Sequence, residues 1–284
     1  MGRKARRIVT AISVVLAGLV SPPIANATPT EYANLGDSFT AATGVLPLAA
    51  GAPLECLQSD QNFAHIVARR QGYDLTDISC GGAATDDFYS AQSAGTRPQL
   101  DALSPSTGVV TVMIGGNDSS IFSGAVTSCV NATLTHLGVA DPCEQQYGNK
   151  FDDTVLGTTL PAVRQALRDI HSRAPRARVV AVGYPWLLPS TGSCAPFVPV
   201  ALGDVPFLRR LQTTLNDSIR RAAVDTGTTF VDMSVVSEGH DACQPVGVRW
   251  VEPLIGARQP VPLHPNALGE QVLATEVTKV LSVG

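Results

Sequence analysis

The sequence predicts an α/β protein, a three-layer α/β/α sandwich around a five-stranded parallel sheet. Two observations point there. Short apolar runs alternate with amphipathic segments along most of the chain, the order that covers both faces of a parallel sheet with helices. One run, residues 108–114, is a near-continuous β-branched string with Val109, Val110, Val112 and Ile114, which suits a strand buried on both faces.

The elements follow in order. Residues 31–35 form a short first strand that ends in the turn-prone triplet Gly36-Asp37-Ser38. Residues 62–70 carry Phe63, Ile66, Val67 and Arg70 at helical spacing. Residues 74–80 form a second strand, closed by Gly81-Gly82, and residues 108–114 a third. Residues 117–150, rich in Ser, Gly and Asn, are expected to be an excursion with some helix. Residues 155–172 set Leu156, Leu160, Val163, Leu167 and Ile170 on one side of a helix. Residues 178–182 are a fourth strand, and the proline-rich stretch 186–203 is a loop. Residues 206–224 are helical, with Leu208, Leu211, Leu215 and Ile219 in register. Residues 228–231 make a fifth strand, a long loop runs to Pro265, and Asn266 caps a last helix over 266–280. Ligands of such sheets bind outside the carboxyl ends of the strands. Ser38, Gly82 and Asn117 fall just after strands one, two and three, and His264 lies on the return from strand five.

The chain has 284 residues, 44% hydrophobic and 15% charged, a balance that suits one large domain. Its start resembles an export signal: Arg3, Lys4, Arg6 and Arg7, an apolar stretch over 8–20, then Ala25-Asn26-Ala27. The expected organisation is a signal peptide over 1–27 and a single domain over 28–284, secreted and able to stay with the cell envelope. That apolar stretch is too short to span a membrane comfortably, and no later segment is a better candidate. Cleavage removes four basic residues and no acidic ones, taking the formal charge from −4 to −8. Such a balance argues against nucleic-acid binding, which needs Lys and Arg on phosphates, and leaves no basic stripe for an anionic membrane.

All six cysteines follow residue 27, and an even number in an oxidising compartment points to three disulfides. Fifteen pairings are possible for six cysteines. Cys129 and Cys143 would close a short loop. Cys56 and Cys80 could share one end of the sheet, which leaves Cys194 with Cys243. No C-x-x-C pair supports a metal site, and no metal or cofactor is expected.

A serine hydroxyl needs a base to take its proton, most often His, and donors for the oxyanion that forms. Gly36-Asp37-Ser38, Cys80-Gly81-Gly82-Ala83, Gly115-Gly116-Asn117-Asp118 and His264-Pro265-Asn266 together resemble, in order, the four blocks of the SGNH, or GDSL-type, hydrolase family. With the six cysteines and Trp250-Val251-Glu252, the chain is similar to the secreted actinobacterial lipase and esterase branch. The resemblance implies a flavodoxin-like SGNH hydrolase fold, with Ser38 as nucleophile and His264 as base. It also implies an oxyanion hole from Ser38 N–H, Gly82 N–H and the Asn117 amide, Gly82 being preferred to Gly81 for its place before Ala83-Ala84-Thr85. The family's usual Asp, three residues before the His, is here Val261. The expectation is therefore a Ser-His dyad, the Val261 carbonyl orienting His264, with Asp232 and Asp241 as candidate helpers.

Other residues have plainer readings. Asp37 braces its loop by accepting backbone N–H bonds. His65 and His171 sit in helices, His136 and His240 in loops, without assigned partners. Trp186, Leu187 and Leu188 either line an acyl pocket or pack in the core. The function expected is a monomeric carboxylic ester hydrolase acting on small-molecule or lipid esters. The alternatives are a carbohydrate deacetylase-type esterase of the same family and a non-catalytic binding module.

Overall fold

The computed structural model describes residue 2, residues 28–138 and residues 140–282. Apart from residue 2, the expected signal peptide lies outside the described residues. In chain order the main elements are β1 (Glu31–Gly36), α1 (Phe63–Gln71), β2 (Asp74–Asp77), β3 (Val109–Met113), α2 (Ile121–Thr135), α3 (Pro142–Tyr147), α4 (Lys150–Thr154), α5 (Leu160–Arg173), β4 (Arg178–Val182), α6 (Val205–Thr226), β5 (Thr229–Val231), α7 (Met233–Val236) and α8 (Ala267–Ser282).

The five strands form one parallel sheet in the order β2-β1-β3-β4-β5. The three central strands are nearly all buried, with the β-branched run of β3 inaccessible along its length. On one face α1 packs against α8, and on the other α5 packs against α6. Chain order reverses at β1, whose neighbours are β2 on one side and β3 on the other. A crevice opens above such a switch point because the connections leave in opposite directions. Ser38 and Asn117 follow the two strands that flank it.

Three elements differ from the expectation. β2 ends at Asp77 rather than at residue 80, because the Asp77 carboxylate accepts from Ser79 N–H at 3.0 Å and turns the chain. Ile78 and Cys80 still donate to Asn34 and Gly36 of β1, so the segment stays alongside. The excursion after β3 holds the 15-residue helix α2. Its buried face, Ile121, Ala125, Cys129 and Ala132, has helical spacing that the surrounding Ser, Thr and Asn obscure. The helix expected over 155–172 opens instead with a wide turn, Val155–Thr159, before α5. Pro161 has no N–H for the regular ladder, and Leu160 N–H reaches back five residues to Val155.

The long loop between β5 and α8 is fixed at its far end. Residue 251 pairs with Pro265 in an antiparallel bridge, Glu252 N–H donates to His264 C=O at 2.9 Å and Leu263 N–H to Glu252 C=O at 3.0 Å. Beneath it a buried ion pair joins Arg249 to Glu252 at 2.6 Å. Asn266 donates to Glu252 at 2.9 Å, while its Oδ1 accepts from Leu268 and Gly269 N–H at the start of α8. A loop would otherwise be mobile; here the hydrogen-bonded Arg249, Glu252 and Asn266 hold the backbone around His264. Disulfides join Cys56 to Cys80, Cys129 to Cys143 and Cys194 to Cys243.

Candidate active site

β1 delivers Ser38 through a glycine that admits no side chain. Gly36 has φ +141°, and a Cβ on it would lie 2.3 Å from Met113 O and 2.2 Å from Thr40 Oγ1. The next residue, Asp37, donates its N–H to Met113 C=O at 3.1 Å. Its carboxylate accepts from Phe39 N–H at 2.9 Å and from Tyr184 O–H at 2.5 Å. Tyr184 follows β4, and its hydroxyl in turn accepts Gly116 N–H from the loop after β3, at 3.0 Å. Asp37 is thus a brace spanning three strand ends. Complete burial pushes its pKa up to about 7, against the pull of those hydrogen bonds.

Ser38 is itself 8% exposed. Its Oγ lies 2.8 Å from His264 Nε2. His264 Nδ1 lies 2.7 Å from Pro262 C=O, so the carbonyl facing the ring belongs to Pro262 and not to Val261. The reason is local. Leu263 adopts φ +60°, which folds the backbone back so that the carbonyl two residues before His264 meets the ring. Val261 C=O is used elsewhere, accepting from Gln259 Nε2 at 3.1 Å. With Pro262 as acceptor, Nδ1 carries the hydrogen and Nε2 is left to accept from the serine. Burial lowers the His264 pKa, partly offset by the Pro262 carbonyl.

Neither candidate helper bonds to His264. Asp232 accepts from Ser234 N–H at 3.0 Å, at the start of α7, and Asp241 accepts from Cys243 N–H at 2.9 Å.

The three expected oxyanion donors line one cavity with Ser38 and His264. Gly81 N–H is bonded to Cys56 C=O at 2.9 Å, whereas among the described residues Ser38 N–H and Gly82 N–H have no acceptor. Gly82 has φ +80°, a conformation that favours glycine. Asn117 Nδ2 donates to Ala83 C=O at 2.9 Å, which orients the amide and leaves its second N–H. Asp118 accepts from Thr85 N–H at 2.9 Å and Thr85 Oγ1 at 3.1 Å, clamping the loop after β2 to the loop after β3.

The cavity measures about 540 Å³, the size of a small-ligand pocket. Its wall is mostly apolar: Phe122, Val126 and Val130 of α2, with Leu187, Leu215 and Leu254. Of the three residues weighed together after β4, Leu187 lines the cavity. Trp186 packs under Arg209, 3.7 Å from the guanidinium carbon, and Leu188 is core. Among the other histidines, His171 bonds Thr228 at 2.9 Å and His240 stacks on Trp250. Sequence reasoning gave no role to Tyr184, Asp118 or α2. Tyr184 could have been found, since it follows a strand end like the rest of the site.

A model of the GDSL-like lipase/acylhydrolase family matches residues 35–272. Lipase 2 of Streptomyces coelicolor is 50% identical over 262 residues, covering 91% of this chain and 88% of that protein. A lipase of Streptomyces rimosus is 28% identical over 285 residues, covering 94% and 95%. Among solved structures, the extracellular lipase from Streptomyces rimosus superposes with a TM-score of 0.73 at 27% identity, covering 88% of this chain and 99% of that one. Phospholipase A1 from Streptomyces albidoflavus NA297 gives 0.74 at 23% identity, with the same coverage, a likeness of fold.

Proposed function

Because the chain belongs to the GDSL-like lipase/acylhydrolase family and is a carboxylic ester hydrolase, we propose that it acts through an acyl-enzyme on Ser38. His264 Nε2 takes the Ser38 proton as Oγ attacks the ester carbonyl. The Pro262 carbonyl holds Nδ1–H and so keeps the ring in that tautomer. Ser38 N–H, Gly82 N–H and Asn117 Nδ2–H receive the oxyanion. Collapse expels the alcohol, which leaves with the proton from His264. Water, deprotonated by His264, then attacks the acyl-enzyme, and the acid departs as Oγ regains its proton.

The observation that carries this reading is the 2.8 Å contact of Ser38 Oγ with His264 Nε2, with Pro262 C=O 2.7 Å from the other ring nitrogen. It makes a nucleophile, a base and an orienter in one line. The mostly apolar wall favours acyl lipids over acetylated sugars. Three disulfides and the extracellular lipase among its structural relatives support secretion.

The test is hydrolysis of p-nitrophenyl esters from acetate to palmitate by the wild type, Ser38→Ala and His264→Ala. Each variant is expected to lose at least ~10³-fold in kcat, the scale of removing a nucleophile or its base. A fluorophosphonate should label Ser38. Undiminished hydrolysis by Ser38→Ala, or labelling elsewhere with full inactivation, rejects the mechanism.

A further inference from the structure

The cavity has two unlike ends. Ser38 follows β1, which lies between β2 and β3 in the sheet. On the β3 side, α2 and Leu187 supply the apolar wall. On the β2 side the wall includes Glu55, on the turn Leu54–Cys56, with Leu57, Gly81 and Gly82. The Cys56–Cys80 disulfide and the bond from Gly81 N–H to Cys56 C=O hold that turn beside the loop after β2.

Glu55 stands on this turn and lines the cavity. Its carboxylate is positioned: Oε1 accepts from Ser93 Oγ at 2.7 Å, and a Cβ on Gly95 would lie 2.4 Å from the same oxygen. Hydrogen bonds from its own backbone N–H and from Ser93 hold its pKa below the ordinary carboxylate value. No lysine or arginine lines the cavity. Asp37, the other carboxylate in the wall, is buried and bonded to Phe39 and Tyr184. Glu55 is therefore the anionic charge that a bound ester meets.

We propose that Glu55 selects the alcohol half of the ester, favouring an alcohol that bears an ammonium group over one that bears an anion. The inference rests on the ester-hydrolase reading above. An acyl chain gains most by leaving water at the apolar β3 end. With the carbonyl at Ser38, that placement turns the alcohol toward the β2 side and Glu55. The carboxylate is open to water, so its effect on discrimination is modest, roughly two- to fivefold for each substrate charge.

The test uses three butyrate esters: of choline, of its neutral isostere 3,3-dimethylbutanol, and of 3-hydroxypropanesulfonate. Values of kcat/KM are normalised to the neutral ester. The wild type should prefer the cationic ester to the anionic one. In Glu55→Gln the cationic ester should fall and the anionic ester rise, each by roughly two- to fivefold, and Glu55→Lys should invert the order. The wild-type preference should also fade as ionic strength approaches about 1 M, where the screening length is only ~3 Å. Ratios unmoved by both substitutions, or a preference indifferent to salt, overturn the proposal. Full hydrolysis of all three esters by Ser38→Ala overturns the parent reading and this one with it. If Ser38→Ala is inactive but the ratios ignore Glu55, only the selectivity claim falls.

Discussion

At His264 a backbone carbonyl stands where the family pattern places a carboxylate. Pro262 C=O fixes the tautomer but brings no full negative charge to stabilise an imidazolium. Burial therefore decides the sign of the shift, and the pKa falls below the usual 6.5. On the proposed mechanism the base works as neutral imidazole, so activity should be retained as pH drops to 6.5 and be lost only below the lowered value. We expect the acid limb of kcat/KM against pH to lie under 6.5; a limb above it would mean that a carboxylate reaches the ring. Ser38 and His264 were singled out through the Gly36-Asp37-Ser38 and His264-Pro265-Asn266 blocks that resemble the family's, Ser38 also by its place just after a strand end. The choice between Val261 and Pro262 was not legible. It depends on one dihedral, φ +60° at Leu263, and leucine gives no sign of a left-handed turn as glycine or asparagine would.

Among elements, the contact of β1 with β3 governs the site. β1 can turn into the Ser38 loop only by passing Met113 O at a distance that excludes a Cβ at Gly36. Gly36→Ala must move either β3 or the loop. Overpacking together with positive φ should lower stability by about 2–4 kcal/mol. Thermal melting measures that loss, and kcat should fall alongside, since Ser38 is two residues away. A variant with wild-type melting temperature would show that the loop has room to yield. β3 and β4 were legible as β-branched runs, and β1 and β2 through the glycines that close them. α2 was harder to see. Its buried face repeats every three or four residues, but six of the other positions are Ser, Thr or Asn, and these favour turns and caps as readily as helix.

Across the whole molecule, the disulfides divide the labour of holding long loops. They close separations of 24, 14 and 49 residues. On loop-closure entropy each should add roughly 3–4 kcal/mol, with Cys194–Cys243 at the top of that range. Pairwise Cys→Ser variants ranked by denaturant midpoint check this order; equal losses would mean that contacts and not chain entropy dominate. The architecture was readable from alternation alone, whereas the cavity was not. Its wall draws on α2, the loop after β4 and the loop before α8, segments with no shared pattern along the chain.

The separation of 226 residues between Ser38 and His264 also sets a schedule. β1 and its serine emerge early in synthesis, while the imidazole comes from the last loop before α8. On the proposed mechanism, a partly made chain would carry the nucleophile without its base, and Arg249, Glu252 and Asn266 must be made before His264 can be seated. On the proposed mechanism, reactivity would thus be withheld until the loop that carries His264 has been made and seated.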